Sequence, residues 1–198
     1  MAEQLYRIYG MEVISMSLIA ALLLSHLIGD FPLQTNQIYR LKNESWLGIV
    51  LHAVVHVVVM ALLLRQPLAV WPMLLWLGVL HFLVDLAKLR LPIRCQWLGF
   101  LLDQAAHLIT LWLLAQIWSN AVALLPLSVM LPMIIYGLFL ATLVFLWVLA
   151  NELSTSQWGN HPYVQWARTH LLCLSQYAGV PLLLIAAAYI YQHLPRTS

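Results

Sequence analysis

Apolar residues run almost unbroken through six stretches of this chain, and short polar interruptions separate them. The pattern predicts six helices, over residues 11–30, 46–64, 68–87, 97–118, 127–150 and 171–191. Several approach the ~20 residues that a helix needs to cross a bilayer. Pro32, Pro67, Pro92 and Pro126 fall at or near the predicted ends, where a missing N–H does least harm. Trp46, Trp71, Trp97, Trp118 and Tyr191 fall near the predicted interfaces, as an aromatic belt would. Two connections are minimal, "RQP" and "SN", and "NELSTSQWGNHPYVQWART" is the one long polar loop. The expected fold is therefore all-α, a polytopic membrane helix bundle of about six transmembrane helices. It forms a single integral-membrane domain over 1–198, with a four-helix part at 11–118 and two scaffold helices at 127–191.

Composition agrees with that reading. The chain is 63% hydrophobic and 8% charged, where a soluble domain would carry about a quarter charged residues. The N-terminus holds Glu3 and Glu12, with no basic cluster and no small-residue cleavage site, so it reads as a retained first span. A net charge of +2 is too small to suggest nucleic acid. Cys95 and Cys173 lack the CxxC spacing of a thiol metal site. Six spans put both termini on one side and the odd-numbered loops on the other. That loop side carries Arg40, Lys42, Lys88, Arg90, Arg94 and Arg168, against Arg7, Arg65 and Arg196 on the terminal side. The positive-inside rule then makes the loop side cytoplasmic.

Ionisable residues inside such spans need a reason. Each of the first four spans carries one pair of metal-ligand residues four positions apart: His26/Asp30, His52/His56, His81/Asp85 and Asp103/His107. Four-residue spacing stacks two side chains on one helix face. With eight histidines in 198 positions, an aspartate meets one at this distance about 8% of the time by chance. All three aspartates of the chain do so. The pairs lie late, early, late and early in successive antiparallel spans, so all four fall at one depth in one leaflet. An interhelical hydrogen bond would explain any single pair. It does not explain three aspartates at that depth, each of which costs about 2.5–3.5 kcal/mol at a helix centre. Imidazole and carboxylate without thiol suit zinc first, with manganese or iron as alternatives. Eight ligands exceed one tetrahedral zinc and match two divalent ions, or one ion with an acid/base and supporting groups.

The segments "HLIGDFPLQ", "LHAVVH", "HFLVDLAK" and "FLLDQAAH" resemble an uncharacterised bacterial family of small integral-membrane proteins, known only as a domain of unknown function. The resemblance covers about residues 20–110 and implies a location in the bacterial inner membrane, but no reaction. "SHLIGD" and "LHFLVD" are also similar to the H-x3-D element of membrane-bound metal-dependent hydrolases, although the HR pair and THS triplet of those proteins are absent here.

These observations favour a membrane-embedded metal-dependent hydrolase acting on a lipid, lipid-linked or phosphorylated substrate. Asp30, Asp85 and Asp103 are the candidates for an acid or base left free of metal. Lys42, Arg90 and Arg94 lie on the site side, where they could meet an anionic head group or simply obey the topology rule, and Lys88 could meet a phosphate, although snorkelling to the interface is the favoured reading. Gln34, Gln104 and Thr110 are candidates for hydrogen bonds to the ligands, and His161 and His170 for a loop that caps the site. His193 lies toward the opposite face. Spans 5 and 6 have almost no polar interior and read as scaffold, lipid seal or homo-oligomer surface. The competing readings are a divalent-metal transporter, whose intramembrane sites H-x3-D and H-x3-H also resemble, a di-iron oxidoreductase, and a non-enzymatic membrane subunit. Transport requires a second half-path, and no polar ladder continues across the first four spans.

Overall fold

The computed structural model describes the backbone of residues 2–91 and 93–193, and side chains over 16–91 and 93–192. Pro92 and Arg196 lie outside the described residues, as do the side chains of Arg7 and His193. Those described form seven α-helices: α1 (Ala2–Asp30), α2 (Asn36–Glu44), α3 (Trp46–Leu62), α4 (Trp71–Arg90), α5 (Gln96–Ile117), α6 (Leu127–Leu153) and α7 (Pro162–His193). Four segments are long and apolar enough to cross a membrane: Pro67–Arg90, Gln96–Ile117, Leu127–Leu153 and Pro162–Gln192. Trp46–Leu62 is apolar but shorter, and Met16–Asp30, the part of α1 whose side chains are described, is apolar as well.

The surface is inverted relative to a water-soluble domain. Large apolar side chains such as Val58, Trp76, Ile109 and Ile135 are exposed, whereas five histidines, two aspartates and Lys42 are buried. In water such an apolar perimeter would be an aggregation surface; against hydrocarbon it costs nothing. Helix α1 is the hub and packs against α3, α5 and α6, while α4 joins α3 to α5 and α7 leans on α6.

The short helix α2 departs from the six-helix expectation. Thr35 caps it by accepting from Ile38 N at 3.4 Å. Ser45 ends it, with its N–H donating to Leu41 O at 2.9 Å, and caps α3 by accepting from Gly48 N at 3.1 Å. A Cβ at Gly48 would overlap the Leu41 carbonyl, so the α2–α3 elbow closes only on glycine. Nine mostly polar residues carry no membrane-length apolar signal, which is why hydropathy passes over them. The long polar loop is also shorter than expected. Helix α6 runs to Leu153 and α7 begins at Pro162, a residue suited to the first turn of a helix.

The far half of the bundle is apolar. One or two turns deeper than the histidine–aspartate pairs, Leu18, Leu22, Met60, Met73, Leu114 and Met130 are all buried to within 1%. At that end the loops clip together, with Arg65 N donating to Val122 O (3.1 Å) and Leu124 N to Leu63 O (2.7 Å). At the other end Trp97 N donates to the Glu152 carboxylate (3.1 Å), which ties the start of α5 to the end of α6.

Candidate metal centre

Helices α1, α3, α4 and α5 each turn one i,i+4 pair inward, and the structure brings all eight side chains into one cluster. Asp30 lies at its middle. His52 Nε2 and His56 Nε2 stand 3.0 and 3.1 Å from Asp30 Oδ1, and His81 Nε2 stands 3.8 Å from the same oxygen. His26 Nε2 is 3.7 Å from Asp30 Oδ2. On the other side of His81, Asp85 Oδ2 lies at 3.6 Å. His107 Nε2 sits 3.7 Å from Asp85 Oδ1 and 3.6 Å from Asp103 Oδ1. The imidazoles pack in series: the His56 and His81 centroids are 3.7 Å apart and those of His81 and His107 4.1 Å.

Close packing of those rings depends on a glycine. Gly29 precedes Asp30 on α1, and a Cβ there would land inside the His56 imidazole. The ring therefore lies flat against the α1 backbone, which carries its Nε2 to Asp30. Sequence reasoning left Gly29 without a role, although it stands inside the H-x3-D segment. A glycine beside a ligand in mid-helix, where it lowers helix stability by about 1 kcal/mol, was the available signal.

Both lysines of the chain belong to this cluster. Lys42 was expected at the mouth, facing an anionic substrate. It is instead buried, with Nζ 2.5 Å from Asp85 Oδ1, because α2 folds back over the site. Lys88 does not stand free: its Nζ donates to Asp103 Oδ2 at 2.6 Å. Gln104 bridges three groups. It donates to Asp30 Oδ2 (3.2 Å) and Asp103 Oδ2 (3.4 Å), and its Oε1 faces His26 Nε2 at 3.2 Å. The other sequence candidates stand apart. Thr110 donates to the His107 carbonyl and not to its ring. Gln34 makes no hydrogen bond to the cluster, and Arg90 and Arg94 are exposed without an ion pair to it. His161 stacks on Tyr163 and His170 on Trp166, outside the cluster.

The donor set fits a metal ion. Two ligands about 2.1 Å from one tetrahedral ion stand about 3.4 Å apart. The 3.6–3.8 Å nitrogen–oxygen separations are close to that and too long for hydrogen bonds. His81 Nε2, His107 Nε2, Asp85 Oδ2 and Asp103 Oδ1 are buried without a hydrogen-bond partner, a costly arrangement unless something else satisfies them. Three groups could hold an ion: Asp30 with His52, His56 and His81; His26 with His81 and His107; and Asp85 with Asp103 and His107. Charge singles out the first. Lysines neutralise Asp85 and Asp103, but Asp30 has only histidines and Gln104 around it. A buried carboxylate so placed calls for a cation.

Fold and site together define an all-helical protein with the makeup of a membrane protein and a buried histidine–aspartate centre able to hold metal. The chain belongs to the family described as "Protein of unknown function (DUF3307)", which matches residues 18–135. That match takes in all eight cluster residues, both lysines, Gly29 and Gln104. No curated protein and no solved structure matches the chain.

Proposed function

We propose that this protein is a membrane-embedded metal-dependent hydrolase acting on a lipid or lipid-linked substrate. The observation that carries the reading is the single buried layer of five histidines and three aspartates, one aspartate lacking a lysine. Six helices, α1 and α3 to α7, would cross the bilayer. A divalent ion, zinc by its His3Asp donor set, would supply a Lewis acid and an acidified water. Asp30, His52, His56 and His81 would hold that ion. Asp85, Asp103 and His107 would hold a second or act as the acid/base. Of these, Asp103 lies nearest the rim, because it accepts from Lys88, whose side chain is 35% exposed. Gln104, bonded to Asp30 and Asp103 together, would keep the two carboxylates in register.

Transport is the weaker alternative, because the packed apolar half beyond the cluster offers an ion no further ligands among the described residues. The site side carries Arg40, Lys42, Lys88, Arg90, Arg94 and Arg168, against Arg7, Arg65 and Arg196 opposite. This bias supports a bacterial inner-membrane protein whose site opens to the cytoplasm. The test is hydrolysis of a panel of phospholipid and lipid-linked phosphate substrates by detergent-purified protein, with and without added zinc or manganese. Metal-dependent release of product by the wild type but not by Asp30→Asn supports the reading. Metal flux into proteoliposomes with no hydrolysis would replace it with transport.

A further inference from the structure

A crevice of about 310 Å³ opens between α1, α5 and α6, and its floor holds His26 and Gln104. That volume lies at the lower end of the range of ligand pockets. The walls are Leu101 and Leu108 on α5, Leu138, Ala141 and Phe145 on α6, and Leu23 and Leu27 on α1; the one polar wall residue, Thr142, donates its hydroxyl to Leu138 O of its own helix at 2.9 Å. Leu101, Leu108 and Leu138 are also exposed on the outer face of the bundle, so the crevice opens sideways onto the apolar perimeter. Positions 101 and 108, like 138 and 145, are seven residues apart, which makes the groove about 10 Å long, parallel to the helix axes. Phe100 and Phe145, with centroids 5.8 Å apart, close it toward the α2 end. The two polar groups at its floor are both part of the metal centre. His26 is a ligand candidate, 2% exposed, whose Nδ1 has no hydrogen-bond partner. Gln104 bonds to Asp30 and Asp103.

From this we infer that the crevice seats the hydrocarbon chain of a lipid substrate, which enters from the bilayer and presents its first polar linkage to His26 and Gln104. A chain lying in the groove runs parallel to its neighbours in the membrane and reaches the site without crossing water. The polar floor distinguishes this slot from an ordinary gap between helices, since only an amphiphile satisfies walls and floor together. A second copy of the chain would have to place a polar group on that floor, and the polar residue beside the groove, Thr142, has its hydroxyl donating to Leu138 O of its own helix. The inference rests on the hydrolase reading for the reaction, but not for the binding.

The test uses the full chain in nanodiscs containing a phospholipid with a diazirine in its acyl chain, followed by photolysis and peptide mapping. Cross-links should concentrate on 101–108 and 138–145, and tryptophan in place of Ala141, which lines the slot from α6, should lower them to the level at Ile109 and Ile135 on the outer perimeter (Ala141→Trp). Ala141→Trp should also raise KM for a long-chain ester by a larger factor than for a short-chain ester. Even labelling around the wild-type perimeter would overturn the inference whether or not the variant folds. Localised labelling by a protein without metal or hydrolysis would leave the crevice standing and remove the hydrolase. Short-chain hydrolysis with even labelling would do the reverse.

Discussion

Replacing Lys42 by methionine separates an electrostatic role in the metal centre from a packing role. The ammonium lies 2.5 Å from Asp85 Oδ1, with the two side chains only 8% and 0% exposed. Methionine fills much the same space but leaves the carboxylate unpaired. Breaking a buried pair from one side costs about 3–5 kcal/mol. For a chain of this size that corresponds to a fall in Tm of about 6–20 °C for metal-free protein. Bound metal should change the outcome, because a divalent ion beside Asp85 supplies the charge that lysine no longer does. Each 1.4 kcal/mol recovered in this way tightens the apparent Kd for metal about tenfold. The assay is thermal unfolding in detergent with chelator and across a zinc titration, for wild type, Lys42→Met and Lys42→Met/Asp85→Asn. Zinc should stabilise Lys42→Met more than wild type, and the double variant should recover much of the chelated loss. Equal losses with and without zinc would show that Lys42 and the ion do not share Asp85, and would refute the reasoning.

Other outcomes follow from the same geometry. Asp30→Asn, Asp85→Asn and Asp103→Asn should each abolish turnover while leaving folded, inserted protein, and at least one should retain its metal; elemental analysis beside circular dichroism checks this. Gly29→Ala should push the His56 ring off Asp30, costing about 1–3 kcal/mol as overpacking and lowering metal content; wild-type metal content in that variant would count against the glycine's role. With Cys95 and Cys173 replaced, Gln157→Cys should resist a membrane-impermeant thiol reagent in intact cells, and labelling there would reverse the assigned topology.

How far the site could be read ahead of the structure depends on the range over which each feature acts. The H-x3-D, H-x3-H and D-x3-H pairs sit one turn apart on their own helices, so spacing alone put each pair on one face. Their common depth followed from antiparallel spans. What lay opposite each face was set by packing between helices. Lys42 counted as a topology charge because nothing local shows α2 folding back through the Ser45 elbow to bring it to Asp85. Lys88 stands three residues after Asp85 on α4, but its partner is Asp103 on α5, a contact made across two helices. The start of α7 was placed late because Gln165, Arg168 and Thr169 are polar, and hydropathy reports burial in lipid, not helicity. The crevice joins three helices and has no signature in any one of them.

The central claim is that the buried cluster holds metal, and the most direct measurement is the metal content of the full-length protein purified in detergent without chelator. Elemental analysis should find one to two equivalents of zinc, manganese or iron per chain in the wild type. It should find a clear loss in a folded His52→Ala/His56→Ala variant, which removes two of the three histidines around Asp30. A folded, monodisperse wild type that carries no metal and takes up none from added zinc, manganese or iron would contradict the account.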